Sequence, residues 1–497
     1  MPDAPTIQLE RVPRGPASGR PDAGKEPELF DAAVTAAFPL PLTTFEKYML
    51  WDDRPDYPMA FVVQLKLHGV VERDAFVEAV RDALALHPLL CSLVEQRSRG
   101  GPVWVLASEC RPGVRWGVLG DPIDHPLGTW IDLESEVGLR VWVHQGVERG
   151  ETEGGRDTAE MTFQFHHSCC DGSGALRFIG DLLAAYGVRT APADRRPVLH
   201  PCHPDQLSVR GHVATRSAAD RRRAGGFWTS LRESALWLIR RPCSLRARGG
   251  DPRDASRELF FDSAHWHTFD HADARSIRRA AMLRGVTVND LLLREMFQTL
   301  HGWNAERGSR NGGRGDRTCV RIAVPVSTSI GSKGHRTAAN SVSYSFLTRR
   351  GGECADADSL LQGLVRENDG PTRRRRARAF LRIFQLLEAV PGVIAMFMGA
   401  NRCFATAVFS NLGDIARHFN AEFPLDDGRI VAGTLVLDEI LGFPPIRPHT
   451  RAAFMVGRYA GRCRVCVRCD PTAFATADVQ ELLASYVGRL RMAMTTG

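Results

Sequence analysis

The chain has 497 residues, of which 43% are hydrophobic and 24% are charged, and its formal net charge at pH 7 is +7. This length can hold two or more domains, and the composition is that of an ordinary globular protein. The composition excludes a fibrous or wholly disordered chain. No apolar run reaches the roughly 18 to 20 residues that a membrane-spanning helix needs. The polar, proline-containing start lacks the apolar core of a signal peptide, so we expect a cytoplasmic protein.

The positive charge is carried almost entirely by arginine, because lysine occurs at only four positions. We interpret this as a compositional bias. It does not indicate nucleic-acid binding, since neither zinc-finger spacing nor an RNA-binding aromatic signature accompanies it. The run Arg373–Arg378 is interpreted as the solvated start of a helix that continues through Phe380–Leu387.

Twelve cysteines are scattered along the chain without the spacing of a small disulfide scaffold, and we expect them to be reduced thiols. Cys463, Cys466 and Cys469 are spaced like part of an iron–sulfur ligand run but have no fourth cysteine nearby. Their alternation with arginine and valine is typical of a strand instead. We therefore predict that this cluster binds no metal.

The first half of the chain alternates strands with helices. Residues 1–30 are rich in proline, glycine and charge and are predicted to be a disordered tail. Helices are predicted around Phe45–Leu50 and over Glu72–Leu86. The predicted strands are Phe61–Leu67, Cys91–Glu95, Pro102–Leu106, Leu139–Val143 and Met161–His167. This pattern predicts a layered α/β (α+β) subdomain over residues 31–188.

A polar stretch over residues 189–257 is predicted to connect this subdomain to a second one. Within it, Phe227–Arg241 has the pattern of an amphipathic helix. Such a helix either packs on the second subdomain, which we favour, or contacts a membrane surface peripherally.

Residues 258–497 repeat the strand-and-helix pattern and predict a second α/β subdomain. The predicted strands are Glu258–Phe261, Cys319–Pro325, Asn340–Leu347, Thr406–Gly413, Gly433–Val436, Arg451–Tyr459 and the cysteine-rich strand. The predicted helices are Ala272–Leu283, a helix capped by Asn289 or Asp290 that ends near His301, Phe380–Leu387 and Asp478–Met494.

The segment Phe163–Gly172 carries the clearest functional signal. Its residues Phe163, Phe165 and His167 alternate along one face of the predicted strand, whereas His166 lies on the other face. Asp171 or Ser173 is then expected to cap a helix that stops near Gly187. A lone histidine at a strand end is usually a satisfied polar residue, but four identities at this spacing favour a functional site.

This arrangement suits proton transfer. A histidine with an ordinary pKa of about 6.5 is largely neutral at pH 7 and can accept a proton. Gly172 permits a tight turn. Asp171 is expected to anchor that turn through a buried arginine pair or to fix the orientation of the imidazole.

The motif His166-His167-Ser168-Cys169-Cys170-Asp171-Gly172 resembles the HHxxxDG motif of the CoA- and carrier-protein-dependent acyltransferases. That superfamily includes chloramphenicol acetyltransferase, condensation domains, alcohol acetyltransferases and wax ester synthase/diacylglycerol acyltransferases. Supporting similarity runs from about residue 38 to 490 and includes Tyr57-Pro58-Met59, His87-Pro88-Leu89-Leu90, Ile131-Asp132-Leu133, Val286–Asp290, Val324–Ser327 and Phe409–Gly413.

The resemblance implies two chloramphenicol acetyltransferase-like subdomains with an active-site tunnel between them, entered by donor and acceptor from opposite faces. It implies that His167 is the general base, His166 a supporting residue, Asp171 a structural aspartate and Gly172 the turn glycine. Ser410 and Asn411 match a turn near the donor channel, where they bind the developing oxyanion or shape the turn. After Val324-Pro325-Val326 many relatives carry an arginine-containing turn, whereas this chain continues with Ser327–Gly331.

The function predicted in this way is that of a free-standing acyltransferase, because no carrier-protein or adenylation module is attached. The resemblance implies an acyl-CoA co-substrate, a hydroxyl or amine acceptor, and no bound cofactor or metal. The alternatives are a condensation-type enzyme with an acyl-phosphopantetheine donor on a carrier protein, and a non-catalytic binding protein of the same fold. A nucleophilic role for Cys169 or Cys170 is a less favoured mechanism, and no nucleic-acid partner is expected.

Overall fold

The computed structural model describes residues 29–108, 110, 113–125, 129–148, 155–203, 207–208, 210–211, 240–247, 264–307, 319–328, 337–390, 392–399 and 402–495. The α-helices of these residues are α1 (Ala32–Ala37), α2 (Thr44–Asp52), α3 (Arg73–Leu86), α4 (Gly172–Thr190), α5 (His271–Leu283), α6 (Val288–Glu306), α7 (Ala357–Asn368), α8 (Gly370–Glu388), α9 (Val393–Gly399) and α10 (Thr476–Thr495). The strands are β1 (Leu40–Pro41), β2 (Ala60–His68), β3 (Ser92–Glu95), β4 (Val103–Leu106), β5 (Val114–Val118), β6 (Leu139–Glu148), β7 (Arg156–His166), β8 (Val198–Leu199), β9 (Ala264–Phe269), β10 (Cys319–Ser327), β11 (Val342–Arg350), β12 (Ala407–Asp414), β13 (Ala421–Glu422), β14 (Leu425–Asp426), β15 (Arg429–Ala432), β16 (Leu435–Phe443), β17 (Ala452–Tyr459) and β18 (Arg462–Cys469).

The first large sheet has the strand order β14-β15-β16-β2-β7-β6-β5. Its neighbouring strands are antiparallel except β5 and β6, which are parallel. Helices α3 and α4 pack against this sheet, and Phe76, Phe163, Phe165 and Phe178 are buried between them. Alternating apolar residues in β7 and a helical apolar stripe in α3 therefore meet in one core, as the sequence pattern predicts.

The second large sheet has the order β11-β10-β12-β17-β18-β9. Strand β12 is parallel to both β10 and β17, and the remaining pairs are antiparallel. Helices α5, α6 and α10 cover it with a core that includes Phe297, Phe409, Phe454 and Tyr486. The predicted mixed α/β class with two sheet-and-helix subdomains is confirmed.

The C-terminal part of the chain contributes strands to the first sheet. Strands β14, β15 and β16 lie late in the chain but belong to that sheet. Strand β16 pairs with β2 along its length, with Ile440 opposite Leu65. Behind this junction Val62 and Leu441 pack against Met455 and Cys466 of the second sheet. The predicted boundary at residues 189–257 therefore does not separate the two sheets completely, because residues 425–443 return to the first sheet. Sequence alternation cannot show this, because it does not specify the partner of a strand.

Several local expectations are corrected by the structure. Helix α6 is capped by Thr287 through a reciprocal capping box with Asp290, not by Asn289 or Asp290, and it continues to Glu306. Helix α4 passes through Gly187 and ends at Thr190. A Cβ atom at Gly187 would lie 2.7 Å from Pro197 Cγ, so this glycine permits close packing and does not end the helix.

The structure tests two predictions about the cysteines, their redox state and the strand pattern of the Cys463–Cys469 cluster. Cys91 and Cys110 are joined by a disulfide, so the expectation of reduced thiols is wrong for this pair. In β18, Cys463 and Cys469 face the core of the second sheet, whereas Cys466 faces the cluster between the sheets. The alternation predicted for this strand is therefore observed.

Three sequence predictions fall wholly or mostly outside the described residues. They are the amphipathic helix Phe227–Arg241, except for its last two residues, the strand Glu258–Phe261, and most of the tail, residues 1–28. Among the described helices none is long and apolar enough to cross a bilayer.

Candidate active site

The histidine pair lies where β7 turns toward α4. The strand ends at His166, one residue earlier than predicted, and His167 begins a turn. The backbone N–H of His167 donates to Met59 O at 2.7 Å, and that of Cys169 donates to His166 O at 3.0 Å. The ring centroid of His167 lies 5.1 Å from that of Phe61, which stacks on Phe165. His167 is therefore on the Phe165 face, as period-two alternation predicts.

His167 lines an open pocket between the two sheets, whose empty space, including its opening to solvent, is about 720 Å³. From the first sheet and α4 the walls include Phe61, Gly172, Leu176 and Ile440. From the second sheet they include Pro325, Tyr344, Val408, Ser410 and Met455. A mostly apolar pocket with a few polar groups is typical of a small-molecule site. The predicted position of His167 at the interface of the halves is confirmed.

The cavity environment favours the neutral imidazole of His167. Burial among apolar groups lowers the pKa of His167, and the nearby carboxylate of Asp171 offsets this only in part. Nδ1 is buried and has no hydrogen-bond partner among the described residues. A neutral imidazole in a mainly apolar cavity is a competent proton acceptor.

His166 is fully buried and is absent from the walls of the cavity. Its Nδ1 accepts a hydrogen bond from the backbone N–H of Ser168 at 3.1 Å, so the neutral ring carries its proton on Nε2. Nε2 lies 3.5 Å from Asp53 Oδ2 but makes no hydrogen bond among the described residues, and Asp53 accepts hydrogen bonds from Met59 N and Trp130 Nε1. This network holds the turn that carries His167.

Asp171 links the motif to both helix α4 and the second half. Its Oδ1 accepts from the backbone N–H of Gly174 at 2.8 Å, which caps the helix. Its Oδ2 accepts from the backbone N–H of Ser341 at 2.8 Å. No ion pair joins Asp171 to an arginine in the described part of the chain, so the expected arginine pair is wrong. The carboxylate is satisfied by two amides instead.

The segment Thr337–Ser341 of the second half clamps the motif, and sequence reasoning missed this role. Asn340 Nδ2 donates to His167 O at 2.6 Å and to Ser168 O at 2.8 Å. The backbone N–H of Ala338 donates to Nδ1 of the buried His87 at 2.7 Å. The only signal in the sequence is a polar residue, Asn340, at the start of the predicted strand Asn340–Leu347. That signal does not distinguish a buried clamp from an exposed cap.

The glycine that close packing requires is Gly174 and not Gly172. A Cβ atom at Gly174 would lie 3.0 Å from both the N and O atoms of Ala339. At Gly172 the nearest atom would be Leu412 Cδ2 at 3.5 Å, which is an ordinary contact. Gly172 is the first residue of α4 and lines the cavity, so a side chain there would take space beside His167.

Ser410 and Asn411, which the sequence places together, separate in the structure. Ser410 lines the cavity with His167. Asn411 is not among the lining residues. Its Oδ1 accepts from Gly413 N at 2.9 Å, and its Nδ2 donates to Asn289 Oδ1 at 3.1 Å. Asn411 thus shapes the irregular end of β12, where the pairing with β17 shifts register.

Cys169 and Cys170 are poorly placed to act as nucleophiles. Both side chains are fully buried, and neither lines the cavity of His167. Burial raises the pKa of both thiols, so the reactive thiolate is disfavoured. The group of this turn that faces the cavity is the imidazole.

The overall arrangement is shared with solved structures. The trichothecene 15-O-acetyltransferase TRI3 of Fusarium sporotrichioides superposes with a TM-score of 0.61 at 13% identity, covering 91% of this chain and 94% of that one. The first condensation domain of the CDA synthetase gives a TM-score of 0.58 at 15% identity, with 93% and 97% covered. The fold is that of condensation domains and related acyltransferases.

The nonribosomal peptide synthetase FmoA3 also contains this condensation and acyltransferase fold, with a TM-score of 0.59 at 16% identity. The match covers 93% of the present chain, which spans less than half, 45%, of the synthetase chain. No protein-family profile and no curated protein matches the sequence. The resemblance predicted from the motif is confirmed at the level of the fold.

Proposed function

We propose that the protein is an acyltransferase that moves an acyl group from a thioester donor, acyl-CoA, to a hydroxyl or amine acceptor. The observation that carries this proposal is His167 of an HHxxxDG motif at the wall of a cavity between the two halves. The shared fold supports acyl transfer in general. The choice of acyl-CoA rests on the resemblance of the motif. The role of His167 rests on the motif and on its neutral imidazole.

In the proposed reaction His167 takes the proton from the acceptor O–H or N–H as the acceptor atom attacks the thioester carbonyl. A tetrahedral oxyanion forms. Its collapse breaks the C–S bond, and the thiolate leaves and takes up the proton held on the imidazolium. The products are an ester or amide and free CoA. No covalent acyl-enzyme is required.

Two features of the cavity favour the developing negative charge. Helix α4 begins at Gly172 on the cavity wall, and the positive end of a helix dipole stabilises anions. Ser410 brings a hydroxyl to the same cavity, and a hydroxyl can donate to an oxyanion. We assign His166, Asp171 and Asn340 to positioning, since they hold the turn through buried hydrogen bonds.

A second candidate function is condensation with a donor carried as acyl-phosphopantetheine on a carrier protein. It is favoured by the likeness to a condensation domain of the CDA synthetase. Both donors present the same thioester to His167, so the site chemistry is unchanged. Either way the acyl carrier is a co-substrate and not a bound cofactor. A non-catalytic binding role is the third candidate and predicts no turnover.

The proposal is tested by incubating the purified protein with acyl-CoAs of two to sixteen carbons and a panel of alcohols and amines. The acylated product is measured by mass spectrometry, because free cysteines of the protein would interfere with a thiol dye. Parallel reactions contain the same acyl groups on a carrier protein. We expect acceptor-dependent product with at least one donor. Product with carrier-bound donors alone would favour condensation, and no product with either would refute both enzymatic proposals.

A further inference from the structure

A second, smaller cavity adjoins the His167 cavity, and its empty space, including its opening to solvent, is about 440 Å³. The two cavities share Tyr344, Val408 and Pro445 as wall residues. The remaining walls of the second cavity are largely apolar and aromatic, and they include Phe346 and Phe404. It is therefore a mostly apolar space directly beside the proposed reaction site.

One corner of this second cavity is polar and is formed by the turn Arg447-Pro448-His449-Thr450. The backbone N–H of Thr450 donates to Arg447 O at 3.2 Å and closes the turn. His449 has a φ of 65°, which is the left-handed region that few residues other than glycine adopt. Arg447 and Thr450, on either side of this residue, both line the second cavity, and backbone strain of this kind is common at ligand sites.

Arg447 and Thr450 each have a buried hydrogen-bonding atom that lacks a partner among the residues that the structure describes. Arg447 donates from Nε and Nη2 to the two carboxylate oxygens of Asp52 at 2.6 and 2.9 Å, and its guanidinium lies 4.2 Å from the Phe404 ring centroid. Its third nitrogen, Nη1, is buried and has no acceptor among the described residues. Thr450 Oγ1 is also buried and has no hydrogen-bond partner in the described part of the chain. Leaving such groups unpaired is costly, so a ligand that pairs them would gain affinity.

The charges of this corner are balanced. Burial by itself would lower the pKa of Arg447, but Asp52 outweighs it and holds that pKa above its ordinary range. Burial, followed by Asp52, raises the pKa of Tyr48 and of Tyr344, so both stay neutral hydroxyls. The Arg447–Asp52 pair is then internally neutral. A carboxylate ligand would bring uncompensated negative charge next to Asp52, whereas an uncharged oxygen would not.

We propose that the second cavity is a specificity subsite that binds an uncharged oxygen of the acyl acceptor, such as a ketone carbonyl, on Arg447 Nη1 and Thr450 Oγ1. The identification of the ligand as the acceptor rests on the proposed acyl transfer. The binding of an uncharged oxygen in this cavity does not depend on that proposed function. The aromatic walls would enclose an apolar or aromatic body that carries this oxygen.

The test measures equilibrium binding of small probes by ligand-observed NMR titration, with no acyl donor present. The probes are acetophenone (an uncharged carbonyl), benzoate (a carboxylate) and ethylbenzene (no oxygen). Thr450→Val removes the hydroxyl at nearly constant volume, and Thr450→Ser is the matched control that keeps it. Ala405→Phe fills the cavity from its wall and locates the binding site, since Ala405 lines only the second of the two cavities.

We expect acetophenone to bind the wild type more tightly than benzoate or ethylbenzene. Thr450→Val should weaken acetophenone binding about 3- to 10-fold, the size of one neutral hydrogen bond, and leave ethylbenzene unchanged. Thr450→Ser should retain most of the affinity, and Ala405→Phe should abolish it. Equal binding of the three probes, tighter binding of benzoate, an unaffected Thr450→Val, or no binding would each overturn the subsite. Failure of the acyl-transfer assay with these binding results intact would refute only the enzymatic function.

Discussion

The substitution Asp171→Asn tests the joint between the motif and the second half. In the wild type each carboxylate oxygen accepts one backbone N–H, from Gly174 and from Ser341. An amide has only one acceptor oxygen, and its NH₂ group is itself a donor. If the amide oxygen keeps the cap of α4, the NH₂ group then faces the N–H of Ser341. One buried bond is replaced by two donors that face each other.

The magnitude follows from this loss. Asparagine caps helices about as well as aspartate, so the cap itself costs little. A buried donor left without an acceptor costs about 1–3 kcal/mol. A change of 1 kcal/mol shifts the thermal midpoint of a subdomain of this size by about 2–4 °C, so we expect a decrease of roughly 2–12 °C.

Thermal unfolding of Asp171→Asn is measured beside Asp270→Asn, a matched control. Asp270 is solvent-exposed and caps α5 by accepting the backbone N–H of Asp273 at 2.8 Å, and no hydrogen bond joins it to the described segment Thr337–Ser341. Its amide can make the same bond, so the midpoint should change little. Equal and small shifts in the two variants would refute the assignment of Asp171 as a two-sided anchor.

Three further predictions concern the glycines, the base and the cysteines. Gly174→Ala should lower the thermal midpoint more than Gly172→Ala, because its Cβ would contact the backbone of Ala339; the reverse order would contradict the packing. Because burial lowers the pKa of His167 and a general base acts when deprotonated, the acid limb of kcat/KM should have its inflection below about 6.5. An inflection above 7 would contradict this assignment. Freshly purified protein should contain no stoichiometric zinc or iron by elemental analysis, because Cys466 faces away from Cys463 and Cys469; one bound metal per chain would overturn this.

Local features of the site follow directly from the sequence. Period-two alternation places His167 on the Phe165 face, and Asp171 fits a helix cap because its side chain can accept an N–H. The resemblance of the motif to that of the HHxxxDG acyltransferases also implies the fold that the similar solved structures have. These features depend on residues within a few positions of one another, so a single sequence is enough to predict them.

The features that were missed are contacts between distant parts of the chain. Asn340 clamps His167 from 173 positions away, and β16 joins β2 although more than 350 residues separate them. The partner of a buried amide or a strand edge is decided by the tertiary fold and leaves no local pattern. The arginine pair expected for Asp171 failed for the same reason, since two backbone amides from different segments satisfy it.

The most direct test of the account is the turnover of His167→Ala with the best donor and acceptor pair, at a folded fraction matched to the wild type. His167 lines a cavity, and its Nδ1 has no hydrogen-bond partner among the described residues, so its removal should leave the fold largely intact. Loss of a positioned general base should reduce the rate of product formation by about 10²- to 10⁴-fold. Equal rates for wild type and His167→Ala would contradict the proposed mechanism.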